Sequence, residues 1–157
     1  MSVIQPGNLY HTGIVVDDLD AAAAQITAAT GTRWSDPIEF TMNLRYQDGD
    51  RKTDLAFRYS LSAPHIEILR AVPGTVITAA PDNAIHHLGY WVDDLAEAAA
   101  YLTGLGMTQE VCGLDDNGRP MRFAYFLAPG GPRIEIVDRP LLGDWHSFLN
   151  QYTPKSN

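Results

Sequence analysis

The sequence predicts an α+β fold of two tandem βαβββ modules, their strands curling into a half-barrel sheet with the helices outside it. Three observations predict this. The segment Tyr10-His11-Thr12-Gly13-Ile14-Val15-Val16-Asp17-Asp18-Leu19 recurs seventy-six positions later as His86-His87-Leu88-Gly89-Tyr90-Trp91-Val92-Asp93-Asp94-Leu95, with His, Gly, Val and Asp-Asp-Leu at the same offsets. The helix-spaced positions that follow also repeat, Leu19, Ala22, Ala23 and Ile26 answering to Leu95, Ala98, Ala99 and Leu102. Each half then closes on an Ile-Glu-Ile run, Ile66-Glu67-Ile68 and Ile134-Glu135-Ile136. A repeat at fixed offset is a statement about architecture. At 157 residues the chain is one domain by length, read here as modules over 8–71 and 84–138.

Within the first module, alternation over 9–16 predicts a strand. Asp17 or Asp18 then caps a helix whose apolar face is Leu19, Ala22, Ala23 and Ile26. Gly31 ends it. From Trp34 to Ile68 the pattern is β-like, with turns at Asp48-Gly49-Asp50 and Ser62-Ala63-Pro64 separating two or three strands. Pro37, early in the first of these, predicts an edge or a bulge. Residues 72–83 carry two prolines and a glycine and read as the linker.

The second module repeats the order. A strand covers 85–92, a helix covers 95–105 and ends at Gly104 or Gly106, and strands follow at about 107–113, 121–128 and 133–138. Beyond it Leu141, Leu142, Trp145, Phe148, Leu149 and Tyr152 fall at helical spacing. They predict a C-terminal amphipathic helix over 140–153, packed on the module or on a partner subunit.

Hydrophobic content of 45% with 19% charged residues is globular, and long enough a chain follows to bury a real core. Nineteen acidic against 11 basic residues give a net charge of −8. Nucleic acid and anionic membranes need clustered Lys and Arg, so neither is an expected partner. The single Cys112 excludes an internal disulfide and a cysteine zinc site, and is most simply a small buried hydrophobe. With no apolar run of membrane-spanning length and no basic segment leading into one, the reading is a cytoplasmic chain without a signal peptide.

Strand parity then gathers the ionisable residues. His11 shares a face with Gly13 and Val15, and His87 with Gly89 and Trp91. In the closing strands the isoleucines point to the core, so Glu67 and Glu135 project from the other face with His65 and Arg133. In a half-barrel, His11, Glu67, His87 and Glu135 converge inside. Two imidazoles and two carboxylates suit one divalent cation, and zinc, nickel, cobalt, manganese and iron all accept such ligands. Gly13 and Gly89 would leave room there. Alone, a strand histidine or an Ile-Glu-Ile glutamate is usually structural, but a purely structural duplication has no reason to preserve ionisable groups on a concave face. His65 and Arg133 could bind an anionic part of a substrate, or Arg133 could pair with a neighbouring carboxylate and His65 stand behind the ligands. Trp91 is a third substrate-binding candidate. Trp34, Phe123, Tyr125 and Phe126 are candidates for an apolar pocket or plain core. Alternation puts His86 on the face opposite its neighbour, and His146 falls in the tail, so neither is read as a ligand.

These residues resemble the vicinal oxygen chelate superfamily, which includes glyoxalase I, methylmalonyl-CoA epimerase, extradiol dioxygenases and bleomycin- and fosfomycin-resistance proteins. The resemblance covers about residues 8–138 and rests on HTGIVVDDLD, HHLGYWVDDL and the two closing glutamates. It implies that His11, Glu67, His87 and Glu135 hold one divalent metal that polarises a substrate carbonyl. It further implies that Glu135 moves an α-proton, while Glu67 is a ligand or acts on the opposite face. The implied activity is a metal-dependent isomerase, epimerase or lyase on a small molecule, in a homodimer. The chain departs from epimerases, which commonly carry Gln where Glu67 stands. It has Ala21-Ala22-Ala23-Ala24-Gln25-Ile26 in place of the Phe-Tyr-x-x-x-Leu-Gly helix of glyoxalase I, so no glutathione substrate is implied. A non-catalytic protein sequestering a hydrophobic molecule is the alternative, though such relatives generally lack the metal ligands. An Fe(II) ring-cleaving dioxygenase ranks below both.

Overall fold

Alternating side chains send one face of each strand inward and the other toward a helix. The computed structural model describes residues 3–156. In chain order it contains β1 (Leu9–Val16), α1 (Leu19–Thr30), β2 (Ile38–Tyr46), β3 (Gly49–Tyr59) and β4 (Ile66–Arg70). The second half supplies β5 (His87–Val92), α2 (Leu95–Gly104), β6 (Thr108–Leu114), β7 (Pro120–Leu127) and β8 (Arg133–Asp138). The tail follows as α3 (Arg139–Leu142) and α4 (Trp145–Gln151).

The sheet of the two modules curls further than the half-barrel expected: the halves meet along both edges and close one eight-stranded barrel, ordered β1-β4-β3-β2-β6-β7-β8-β5. One seam is the antiparallel pair β1–β5, the other the antiparallel pair β2–β6. The opening and closing strands of each half pair in parallel, β1 with β4 and β5 with β8. Closure leaves no free sheet edge among the described residues.

The layers follow from side-chain type. Val15, Leu44, Leu55, Leu69, Val111 and Val137 fill the barrel interior. Outside it, α1 covers Ala56 and Ile68, and α2 covers Cys112, Ala124, Phe126 and Ile136. Ile68 and Ile136 are completely buried, which at about 1.5–3 kcal/mol each anchors β4 and β8 to their helices. The second aspartate of each Asp-Asp pair is the cap: the Asp18 carboxylate accepts from the Ala21 N–H at 2.9 Å, and that of Asp94 from the Glu97 N–H at 2.9 Å. The repeat therefore sets where β1 and β5 stop and how their helices begin.

Three expectations are corrected. The strand expected from Trp34 begins at Ile38, with Pro37 ahead of it and Trp34 in an isolated bridge to Ser60. The single C-terminal helix expected over 140–153 is two, because Gly143 (φ 77°, ψ −144°) takes a conformation open to glycine and Asp144 starts a new helix by accepting from the Ser147 N–H at 2.8 Å. Residues 72–83 do more than connect, since Ile77 is completely buried within the interior cluster. Among the described residues, no helix is long and apolar enough to cross a membrane.

Candidate metal centre

The β1–β5 seam places His11 opposite Gly89 and Gly13 opposite His87. The parallel pairings place Gly13 beside Glu67 and Gly89 beside Glu135. Two rows thus cross adjacent strands, Glu67–Gly13–His87 and His11–Gly89–Glu135, related by the repeat. A Cβ on Gly13 would stand 2.0 Å from Cε1 of His87, and one on Gly89 2.0 Å from Cε1 of His11. The room those glycines leave is filled by the imidazole of the opposite half.

One donor atom from each of His11, Glu67, His87 and Glu135 lies within 4.8 Å of all the others. Nε2 of His11 is 3.0 Å from Oε2 of Glu135 and 3.5 Å from Oε2 of Glu67. Nε2 of His87 is 3.1 Å from Oε2 of Glu67 and 3.4 Å from Oε2 of Glu135. The two Nε2 atoms are 2.9 Å apart. None of the four residues is more than 6% exposed. Yet Oε2 of both glutamates lies within these distances without a hydrogen bond of proper geometry. Buried carboxylate oxygens without directed donors are costly, and a divalent cation among the four would satisfy them. Nitrogen and carboxylate donors in this number fit such an ion, whether zinc, nickel, cobalt, manganese or iron.

Without a cation the cluster holds protons. Burial resists a charge on His11, but Glu67 and Glu135 outweigh it and push its pKa up to about 9. His87 is raised for the same reasons. Burial alone would raise both glutamates, but the imidazoles hold Glu67 and Glu135 below the usual carboxylate range.

Alternation sends His86 to the face opposite His87, but β5 begins only at His87, and the His86 ring lies beside those of His87 and Tyr125, 5.3 and 5.6 Å between centroids. Its Nε2 donates to the Val76 carbonyl at 2.8 Å, and burial lowers its pKa to about 4, so the ring is neutral. Its Nδ1 is then an acceptor, 3.0 Å from Nδ1 of His87. His87 must donate from Nδ1, which leaves the Nε2 lone pair for the cluster. The adjacent His86-His87 pair was the only sequence signal for this. Nδ1 of His11 is buried and has no hydrogen-bond partner among the described residues.

The three proposed substrate contacts sit elsewhere. Arg133 grips Glu110 bidentately, with Nη2 at 3.0 Å from Oε1, and donates to the His86 carbonyl at 3.2 Å. His65 accepts from Nε1 of Trp145 at 3.1 Å and hydrogen-bonds the Ser60 carbonyl at 2.8 Å. Trp91 stacks on Tyr10 at 3.7 Å between centroids. None of the three lines the cavity beside the cluster.

That cavity, about 100 Å³, opens on the carboxylate side: Glu67 and Glu135 line it and the histidines do not. Its walls are aromatic, with Phe57, Tyr59, Phe123 and Tyr125 among them, and Phe148 and Tyr152 of the tail cover it. Phe123 and Tyr125 thus fulfil their pocket reading, whereas Trp34 and Phe126 pack under α1 and α2. Tyr59 and Phe57 carried no sequence signal beyond β-patterning, because the β3–β4 register that sets Tyr59 opposite Glu67 is a tertiary pairing.

A family model described as the Glyoxalase/Bleomycin resistance protein/Dioxygenase superfamily matches residues 10–137. Among solved structures, the chain is similar to methylmalonyl-CoA epimerase from Mycobacterium tuberculosis, at 20% identity and a TM-score of 0.54, covering 88% of this chain and 90% of that one. A variant of the Streptomyces coelicolor methylmalonyl-CoA epimerase in complex with 2-nitronate-propionyl-CoA is similar at 16% identity and a TM-score of 0.56, covering 83% and 93%. A methylmalonyl-CoA epimerase in complex with methylmalonyl-CoA and NH4+ is similar at 17% identity and 0.56, also covering 83% and 93%. At these identities the likeness is one of fold. No curated protein matches the sequence.

Proposed function

The chain belongs to the glyoxalase/bleomycin resistance protein/dioxygenase superfamily, and from that premise we propose that it is a divalent-metal-dependent isomerase, epimerase or lyase acting on a small carbonyl compound. The supporting observation is the convergence of four buried donor atoms within 4.8 Å, two of them carboxylate oxygens lacking a directed hydrogen bond. In this reading His11, Glu67, His87 and Glu135 hold the ion. The chemistry such an ion supplies when bound is Lewis acidity toward a carbonyl oxygen.

The chain's own residues do the rest. Glu135 takes the proton from the carbon next to the carbonyl and returns it to the product. Glu67, in the symmetric place, acts as ligand or serves the opposite face. Both carboxylates line the cavity, so both can reach a substrate there. The aromatic walls exclude water and strengthen each electrostatic contact. A homodimer would not change the donor set, since all four donors come from one chain.

Elemental analysis of untagged protein, beside a turnover screen of CoA esters, hemithioacetals and hydroxyketones, tests this. About one divalent ion per chain is expected in the wild type and in Glu135→Gln, and little in His11→Ala. Glu135→Gln should lose turnover. An unchanged kcat in that variant excludes the base role, and a wild type free of stoichiometric metal above pH 6 excludes the metal centre.

A further inference from the structure

Beyond the metal centre, the cavity holds one cation. Among the described residues Arg122 is the sole basic side chain on its wall, facing the same space as Glu67 and Glu135. In a chain of net charge −8, such a cation would be expected to be neutralised. Among the described residues it makes no ion pair and no hydrogen bond, and its guanidinium rests over the Phe40 ring at 5.0 Å from the centroid. Arg122 and Phe40 also line the adjoining surface groove, which places them at the cavity mouth.

The backbone is bent to put it there. Phe123 and Tyr125 of β7 face inward, so simple alternation would turn Arg122 outward. Pairing between β6 and β7 slips at this point: Leu114 stands opposite Pro120 but Cys112 opposite Ala124, leaving extra residues in β7. Arg122 takes up the irregularity with φ 76°, a left-handed conformation that side chains other than glycine rarely adopt. Gly113 on the neighbouring β6 makes it possible, since a Cβ there would lie 2.4 Å from the Met121 carbonyl oxygen. Strained backbone that re-aims an unpaired cation into a cavity is the pattern of a ligand contact.

We propose that Arg122 binds the anionic group of the substrate, and that the substrate is a compact carbonyl compound with its carbonyl end toward Glu67 and Glu135 and one carboxylate at the Arg122 end. This rests on the metal-centre reading for the carbonyl end only. The size follows from the cavity: about 100 Å³ is less than the ~150 Å³ that takes up benzene, so a head of a few heavy atoms fits beneath the tail. The aromatic walls select an apolar span between the two ends.

Calorimetric titration with 4-oxopentanoate and with its uncharged methyl ester tests the assignment, on wild type, Arg122→Gly and Arg122→Lys, each with its metal content measured. Arg122→Gly suits the left-handed backbone and so keeps the fold. Wild type should bind the acid at least about tenfold more tightly than the ester, and Arg122→Gly should erase that preference. Arg122→Lys should regain part of it, and metal content should be equal in all three. Acid binding in Arg122→Gly as tight as in wild type overturns the proposal, as does a wild type that binds neither compound or does not distinguish them. A wild type that holds no metal yet still prefers the acid, with that preference lost in Arg122→Gly, upholds Arg122 and overturns the metal centre alone.

Discussion

The imidazole of His87 occupies the space that Gly13 leaves empty on the neighbouring strand, and His11 stands in the same relation to Gly89. Each half of the repeat thus contributes a histidine and the gap that the other half's histidine requires. The His-x-Gly spacing is a matched pair across the seam, and neither member works without the other half.

Gly13→Ala and Gly89→Ala therefore place a methyl inside an imidazole. Each is expected to cost about 1–3 kcal/mol in urea unfolding, the usual range for overpacking, and to abolish stoichiometric metal uptake. Gly104→Ala is the control: it lies in α2 with nothing near the added carbon, and should stabilise by about 0.5–1 kcal/mol. Wild-type stability in Gly13→Ala would refute the interlock.

His86→Leu removes the acceptor that fixes the tautomer of His87. Because His86 touches no ligand atom of the cluster itself, the fold should persist by circular dichroism while zinc affinity falls about 10–100-fold in a chelator competition. An unchanged affinity would mean that the His87 ring is oriented by packing alone.

The metal-free protein should have a narrow pH range of greatest stability. His11 is raised from 6.5 to about 9, so its contribution is complete below pH 6.5 and is lost as pH climbs toward 9. Glu67 and Glu135 are lowered from 4.5, so theirs is present above about pH 4.5 and is lost as pH falls. The melting temperature in EDTA should peak between about pH 4.5 and 6.5. Added zinc competes with those protons, so the stabilisation it brings should grow from pH 6.5 to 9. Calorimetric scans across this range decide it, and a metal-free Tm that rises steadily to pH 9 would contradict the proton-filled cluster.

Ile77→Ala empties a fully buried position on the cavity wall. A loss of about 2–5 kcal/mol is expected in denaturant unfolding. A cost under about 0.5 kcal/mol, typical of a surface site, would return residues 72–83 to the role of connector.

Sequence by itself determined what recurs locally. Alternation and helical spacing placed the opening strand and outer helix of each half and the strands of the second, and left two or three strands between Trp34 and Ile68; the Asp-Asp-Leu triplets located the helix starts, and Ile-Glu-Ile parity sent Glu67 and Glu135 opposite to their isoleucines. These are short-range consequences of backbone geometry, legible wherever period and cap residues agree. Gly143 shows where that reading stops: apolar spacing over 140–153 is helical, but one glycine conformation divides the segment in two. Everything that depends on distant strands meeting was decided by the tertiary structure. The β3–β4 register set Tyr59 opposite Glu67, closure of the barrel put Glu135 on the same cavity wall, the histidine–glycine interlock required the β1–β5 register, and the slip opposite Gly113 turned Arg122 against its own alternation. Parity states which face a residue takes, but register and closure decide what it meets there.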